Sequence, residues 1–458
     1  MIGALASLTV LVVFDVASGA TIHRQGPIES YEAAPGSIVK LVIATAAAEA
    51  GKADSSLPRA LATSDNPYFK RLERTLGEPA IGRVARRLGV PYGTDWTRLR
   101  VRAPALVELL RQLALAGSAD VREGMRECGE YGTCRVPGAR VEVAGKTGTD
   151  LTTREGLQGW FVGWAPADRP RVGVVVGLRG GRGSSAARVG TAALERYLLP
   201  PVRVQLADRI APISLEDYVA GVVEAEARDA PLEARKALAV LARTFALRER
   251  GRHGTADVCA KTHCQAYREP SAAARRAADD TRLEVLTSGD TLAPAHYFST
   301  CGGHTAGSAT IWPELRPPLP DVDDREHCRA SPHLRWQVTL DGPRLEEALG
   351  VRPTSIAIEA GPGGWVARAR VQHAGGERVF GGEELHLLVA RKVGWAAFKS
   401  ARFTVDAVGP RFVFRGTGMG HGVGLCQWGA RGRAEGGAAY ADILAAYFPG
   451  FSLTHARP

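Results

Sequence analysis

Ser37-Ile38-Val39-Lys40, Ser64-Asp65-Asn66 and Lys146-Thr147-Gly148-Thr149 follow one another in the first third of a 458-residue chain, and each supplies a different part of one acyl-transfer site. A serine hydroxyl is a weak nucleophile until a neighbouring base takes its proton. Ser37 and Lys40 are one helical turn apart, so both can face one cleft. Ser64 and Asn66 add a hydroxyl and an amide that can relay protons and hold a substrate. Lys146, Thr147 and Thr149 add a cation and two hydroxyls on a strand whose glycine leaves backbone bare for a peptide carboxylate. Ser37 follows Pro35-Gly36 and opens a helical run, 38–50, closed by Gly51. It therefore sits in the positive end-field of a helix, which favours an oxyanion. Taken singly each string is common, and a serine so placed is more often a plain N-cap. Their order and context together point to chemistry.

The same three strings are the set carried by penicillin-binding proteins. Residues from about 5 to 200 resemble a shortened transpeptidase domain of that family. Val12 to Ala20 reads as strand, turn, strand; Gly159 to Pro166 and Val172 to Gly177 read as two further sheet strands. The resemblance implies a catalytic set of Ser37, Lys40, Ser64, Asn66, Lys146 and Thr147, with Thr149 in substrate binding. It also implies stem peptides of peptidoglycan, and β-lactams, as ligands. Hydrolysis by the same site, as in a D,D-carboxypeptidase or a β-lactamase, is the alternative. Ser64 lies only 27 positions beyond Ser37, and Lys146 only 82 beyond Ser64, so the insertions usual in the family are short here.

Length and composition suit two or three globular domains, with 45% hydrophobic and 23% charged residues. The net charge of +10 fits either an arginine-rich soluble surface or attraction to an anionic polymer such as cell wall. Nucleic acid is not an expected partner, because no basic helix or aromatic-basic alternation resembles a known reader. The apolar run from Ile2 to Phe14 has no basic residue before it, the first being Arg24. It lacks the basic n-region of a signal peptide and is too short to span a bilayer. It reads as the first strand of a sheet, leaving no clear export signal although the implied substrate is periplasmic or at the cell-wall face; the true start could lie upstream. Of seven cysteines, Cys128 and Cys134 bracket a turn-rich segment suited to a disulfide loop, and Cys301 and Cys328 could form a second bridge.

A boundary falls near Pro200-Pro201, after a helical run 186–199 and before the alternating Val202 to Leu206. Leu215 to Glu226 carries a helical apolar stripe, and Pro231 opens a helix that runs to about Arg250. Near the C-terminus, Gly416 to Ala430 packs many glycines around His421 and Trp428, a backbone able to press close to a ligand. Ser214 to Val223, then Glu226, Ala242-Arg243-Thr244, Ser299 to Thr305, Gly420 to Gly424 and Gln427 to Ala430 resemble the sporulation stage II protein D/LytB (SpoIID) family over about residues 202–453. That family includes lytic transglycosylases acting on glycan without stem peptides, and enhancers of cell-wall amidases. The resemblance makes Glu226 the catalytic acid. Ala227-Arg228 stands where Met-Pro is common, and Leu238 where glutamine is usual. The chemistry agrees: a lytic enzyme needs one carboxylate where a hydrolase usually needs two, since the C6 hydroxyl of the sugar closes a 1,6-anhydro ring. Lys236, Arg243, Ser299, His304, His421 and Gln427 are the candidate glycan-binding residues, with a plain charged helix face the competing reading for Lys236 and Arg243. An amidase is a possible partner, in which case the second half binds without cutting.

His253, Cys259, His263 and Cys264 place four soft or borderline ligands within twelve residues, which suits tetrahedral Zn²⁺. Zinc-binding members of the family carry a similar cluster. A structural zinc is the expectation, and a Cys259–Cys264 disulfide the competing reading. The expected architecture is α+β in two domains: a serine-acyltransferase domain over 1–200 and a mixed SpoIID-like domain over 201–458.

Overall fold

A computed structural model describes residues 8–93, 95–151, 156–324 and 326–456. The chain divides into two compact units, one ending at Pro201 and the other running Val202–Ala456. Both mix helix and strand.

The first unit is built on a five-stranded antiparallel sheet. The order across it is Thr21–Gln25, Leu8–Asp15, Val172–Arg179, Gln158–Ala165 and Ala144–Asp150. The strand of period two sorts its side chains to opposite faces. Val10, Val12 and Phe14 join one apolar cluster with Trp160 and Trp164. Leu11 and Val13 join another with Val174, Val176 and the closing helix Gly183–Tyr197. The sheet is thus covered on both faces, which explains why Gln158–Ala165 is buried at every residue. The expected first strand begins at Leu8, and residues 1–7 lie outside the described ones. Ala144–Asp150, the strand bearing Lys146, ends the order and so lies at one edge.

Between the sheet's first hairpin and that edge strand come helices Val39–Glu49, Leu57–Thr63, Asn66–Leu76, Glu78–Arg87, Ala103–Ala116 and Ala119–Glu130. The helix after Ser37 stops where expected, with Gly51 at φ +62°. Cys128 and Cys134 form a disulfide.

The second unit opens with strands Val202–Gln205 and Ile210–Ile213 and helices Leu215–Ala227 and Leu232–Arg248. Ser214 caps the first helix by accepting from Asp217 N. A second region pairs two three-stranded sheets with helices Gly342–Leu349 and Gly382–Val393 around a core of Phe380, Phe398, Phe403 and Phe414. No helix among the described residues is long and apolar enough to cross a membrane.

Candidate functional site

In the first unit, three distant segments meet on one hydroxyl. Lys40 Nζ donates to Ser64 Oγ at 3.0 Å, to Ser64 O at 2.6 Å and to Asn66 Oδ1 at 2.5 Å. Lys146 Nζ reaches the same Ser64 Oγ at 3.1 Å and Thr147 O at 3.0 Å. Local structure makes this possible. Ser64 takes the left-handed conformation (φ 60°, ψ 44°) at the end of one helix, and Asp65 caps the next by accepting from Tyr68 N at 2.9 Å. The Ser64-Asp65-Asn66 string is therefore a helix-to-helix corner that turns both polar side chains toward Lys40.

Ser37 stands in a one-turn 3-10 segment, Gly36–Ile38, that runs into the helix carrying Lys40. Glycines seat this turn against the Lys146 strand. A Cβ on Gly36 would fall 2.7 Å from Thr149 O, and one on Gly148 would fall 2.3 Å from Pro35 O. That close approach is the physical reason for both glycines. Lys40 Nζ spends its hydrogen bonds on Ser64 and Asn66, not on Ser37; contacts of this kind commonly tighten only when substrate is bound.

Two buried lysines with no carboxylate bonded to them are costly as cations. Burial brings Lys40 down to about 8, with Asp65 pulling the other way and Lys70 adding to the drop. Burial, and then the charge of Lys40, bring Lys146 down to about 7. Either can therefore be a free amine near neutrality, which is what a proton acceptor for serine requires. Thr147 is buried, and its hydroxyl pairs with Thr133 Oγ1 at 2.6 Å rather than pointing into open space. Thr149 Oγ1 accepts from Gly183 N at 3.0 Å. Thr133 was not a sequence candidate; it lies in the Cys128–Cys134 loop, with its N–H donating to Ala62 O two residues before Ser64.

In the second unit, Glu226 lies in the last turn of helix Leu215–Ala227. Its Oε1 accepts from Ala266 N at 3.0 Å, and its Oε2 from Gln427 Nε2 at 3.4 Å. Burial pushes its carboxyl above the usual carboxylate range, with Ala266 and Gln427 offsetting part of the rise. Glu224 is the contrast. Ser271 Oγ at 2.5 Å and Arg228 Nε at 2.6 Å hold it as a carboxylate, and its pKa is lowered, chiefly by Ser271. Two glutamates two positions apart are thus separated into one group poised to hold a proton and one fixed in charge.

Glu226 borders two cavities. One, of about 760 Å³, is also lined by Ser299, His421, Gln427, Trp312 and Glu383. The other, of about 380 Å³, is lined by Ala227, Arg228, Leu238 and Trp428, so the positions that depart from the family pattern sit against the same glutamate. His421 is held neutral: Nδ1 accepts from Val423 N at 3.2 Å, Nε2 faces Tyr297 O at 3.0 Å, and burial takes it down to about 3. Glu383 was not a sequence candidate. Burial raises its pKa as well, and Trp312 Nε1 donates to it.

Three proposed glycan contacts lie elsewhere. Arg243 has no exposed surface; its guanidinium is bound to Glu216 at 2.5 and 2.9 Å and to Glu284 O at 2.9 Å. It fastens helix Leu232–Arg248 to its neighbours. Lys236 pairs with Glu233 at 2.8 Å and Asp280 at 3.3 Å, outside the lining of both cavities. His304 Nδ1 lies 2.9 Å from Thr305 O, Nε2 lies 3.5 Å from Asp321, and the ring packs against Gly363, again outside both cavities. Since Arg243 answers a buried carboxylate, Arg243→Ala should destabilise the second unit by about 3–5 kcal/mol, read by denaturant titration. A loss under about 1 kcal/mol would mean that the pair is dispensable to the fold.

His253, Cys259, His263 and Cys264 bring one donor atom each within 4.8 Å of one another. His253 Nε2 is 3.0 Å from Cys264 Sγ, and His263 Nδ1 is 3.7 Å from Cys264 Sγ and 3.8 Å from Cys259 Sγ. Cys259 and Cys264 are free thiols rather than the alternative disulfide. This donor set fits one four-coordinate soft cation. The Cys301–Cys328 bridge that the sequence allows is likewise not formed: the two sulfurs are 3.4 Å apart, in a pocket they share with Cys426 and Asp324.

Comparison with known proteins divides the chain at the same place. Residues 115–195 match the penicillin-binding-protein transpeptidase domain, and residues 205–288 match the stage II sporulation protein (SpoIID) family. The stage II sporulation protein D of Bacillus amyloliquefaciens is 29% identical over 271 residues, covering 53% of this chain and 75% of its own. The amidase enhancer of Bacillus subtilis is 26% identical over 276 residues, covering 49% of this chain and only 38% of its own. Among solved structures, the transpeptidase domain of FtsI4 from Legionella pneumophila is 22% identical, with a TM-score of 0.34, covering 40% of this chain and 87% of that one. The chain therefore joins a first half that resembles a penicillin-binding-protein transpeptidase domain to a second half that resembles the SpoIID and amidase-enhancer proteins.

Proposed function

We propose that the chain carries two peptidoglycan-directed sites. The first is a serine D,D-transpeptidase site. Ser37 attacks the carbonyl between the last two residues of a D-Ala-D-Ala-type stem peptide, the terminal residue leaves as an amine, and a second stem's amine takes the acyl group. Lys40 accepts the proton from Ser37, and Ser64 passes protons between the two lysines and the leaving amine. The observation that carries this reading is the convergence of Lys40 and Lys146, from two distant segments, on the Ser64 hydroxyl at 3.0 and 3.1 Å, with Asn66 Oδ1 accepting from Lys40 at 2.5 Å. The second is a lytic transglycosylase site with Glu226 as the only acid and base. Digests of sacculi treated with wild type, Ser37→Ala and Glu226→Gln test both: the first variant should lose only new peptide cross-links, the second only released glycan.

A second reading of the C-terminal half follows from its likeness to a protein named an amidase enhancer. There Glu226 and its cavities hold glycan without cutting it, and the half acts by presenting substrate to a partner amidase. Both readings place the protein outside the cytoplasm.

The His253, Cys259, His263 and Cys264 cluster belongs to the same proposal as a structural zinc site. Cys264 is two residues before Ala266, whose N–H holds Glu226, so a metal here fixes the loop that orients the acid. Protein purified without chelator should carry zinc at this cluster, and Cys259→Ser with Cys264→Ser should lower the zinc content by one equivalent. Its loss should also lower stability, because the binding free energy of such a site becomes folding free energy. Unchanged zinc content in the double variant would remove the metal from this cluster.

A further inference from the structure

We infer that Cys301, Cys328, Cys426 and Asp324 form a second metal centre, a buried site for one tetrahedral zinc ion held by three thiolates and a carboxylate. One donor atom from each lies within 4.8 Å of the others, and all four residues have no exposed surface. Cys301 Sγ is 3.4 Å from Cys328 Sγ and 3.4 Å from Asp324 Oδ2. A disulfide would need about 2.05 Å. Thiolates bound to zinc at about 2.3 Å in a tetrahedron stand about 3.8 Å apart. Any pairing of three cysteines also strands one thiol, whereas a metal uses all three.

The surroundings suit anionic sulfur. Backbone N–H groups point at two of the sulfurs: Cys301 N and Gly429 N at Cys426 Sγ, each at 3.2 Å, and Gly303 N at Cys301 Sγ at 3.4 Å. Zn²⁺ with three thiolates and one carboxylate carries two net negative charges. Two arginines answer them. Arg433 Nη2 lies 3.0 Å from Asp324 Oδ1, leaving Oδ2 turned toward Cys301. The Arg402 guanidinium donates to Cys301 O at 3.2 Å and to Gly302 O. Tyr447 Oη donates to Asp324 Oδ2 at 2.7 Å and fixes that oxygen's direction, as partners behind a metal ligand do. Binding displaces three thiol protons and changes no oxidation state. Soft thiolates in a four-coordinate set favour zinc over the hard cations, which take oxygen ligands.

The ion would tie two segments that build the Glu226 cavity to a third, which carries Asp324 and Cys328. Cys301 lies two residues after Ser299, and Cys426 immediately precedes Gln427, the donor to Glu226 Oε2. The two clusters then flank the two hydrogen bonds that orient the glutamate, one through Ala266 and one through Gln427.

The test is metal content of the full chain, purified from zinc-supplemented cells without chelator. Cys259→Ser with Cys264→Ser, which removes the other cluster, should keep one equivalent, and adding Cys328→Ser should remove it. Cobalt(II) exchanged into the double variant should give the intense near-ultraviolet thiolate-to-metal band and the visible bands of a tetrahedral thiolate site. One equivalent in wild type that survives in the double variant would support this site and exclude only the other. A metal-free double variant with no cobalt band overturns the inference, as does recovery of a Cys301–Cys328 disulfide from alkylated wild type. If Cys328→Ser does not fold, the cobalt spectrum of the double variant decides alone.

Discussion

Incubated with a β-lactam, the wild-type chain should gain the full mass of the drug, and Ser37→Ala should gain none. The whole mass is retained because attack by Ser37 Oγ opens the ring without losing a group: a C–O bond forms, the ring C–N bond breaks, and the serine proton ends on the ring nitrogen. Lys40 is the route for that proton. Its depressed pKa, about 8, makes it a base that a normal lysine near 10.4 is not. Lys40→Met should slow acylation by about 10²–10⁴-fold. The sign of the pH dependence follows. Lys40 must be unprotonated to act, so the acylation rate should climb about tenfold per unit below about pH 8 and level above it. Folding stability runs in the same direction. Lys40 and Lys146 bind protons more readily in the unfolded chain, so the first unit gains stability as pH rises from about 7 toward 10.5 and loses it as pH falls. Melting curves at each pH separate the two effects. An unchanged mass after long exposure to several β-lactams would favour a site that keeps the fold and has lost the chemistry. A rate flat across the pH range would take Lys40 out of the role of base.

The three strings were legible in sequence because chain order and local context limit what they can be. Their mutual wiring was not. The sequence pairs Lys40 with Ser37; the structure adds its bonds to Ser64 and Asn66, because the left-handed turn at Ser64 aims that corner at the lysine. Nothing in the string Ser-Asp-Asn specifies that turn. Thr133 was missed since only the Cys128–Cys134 disulfide and the fold of its loop carry it to Thr147. Arg243 shows the opposite failure. Its position seven residues after Lys236 does place both on one side of a helix, but periodicity cannot tell a helix half-exposed from one enclosed by others. Burial then turned a presumed ligand-binding cation into half of an internal ion pair with Glu216. The sequence allows a Cys301–Cys328 bridge, and Cys426, distant in sequence, brings a third sulfur that spacing cannot foresee.

Glycan freed of stem peptides should yield 1,6-anhydro-muramic ends with wild type and none with Glu226→Gln. A single carboxyl does both proton steps: it protonates the leaving oxygen, then takes the proton of the C6 hydroxyl as the ring closes. Glutamine keeps the shape and one of the two accepted hydrogen bonds and removes the titrating group, at a typical loss of about 10²–10⁴-fold in rate. Burial raises Glu226 above the ordinary carboxylate range, so the acid form persists to higher pH than in water. Activity should fall as pH rises through that raised value, giving an alkaline limb displaced upward. Gln427→Leu removes a donor that holds the value down and should move the limb further up. Reducing ends in place of anhydro ends would mean hydrolysis, which needs a second carboxylate. Glu383, which lines the same cavity and is also raised by burial, would then be the residue to replace. If neither protein releases sugar while wild type accelerates an added amidase, Glu226 holds glycan for a partner, and the enzymatic reading of the second half fails.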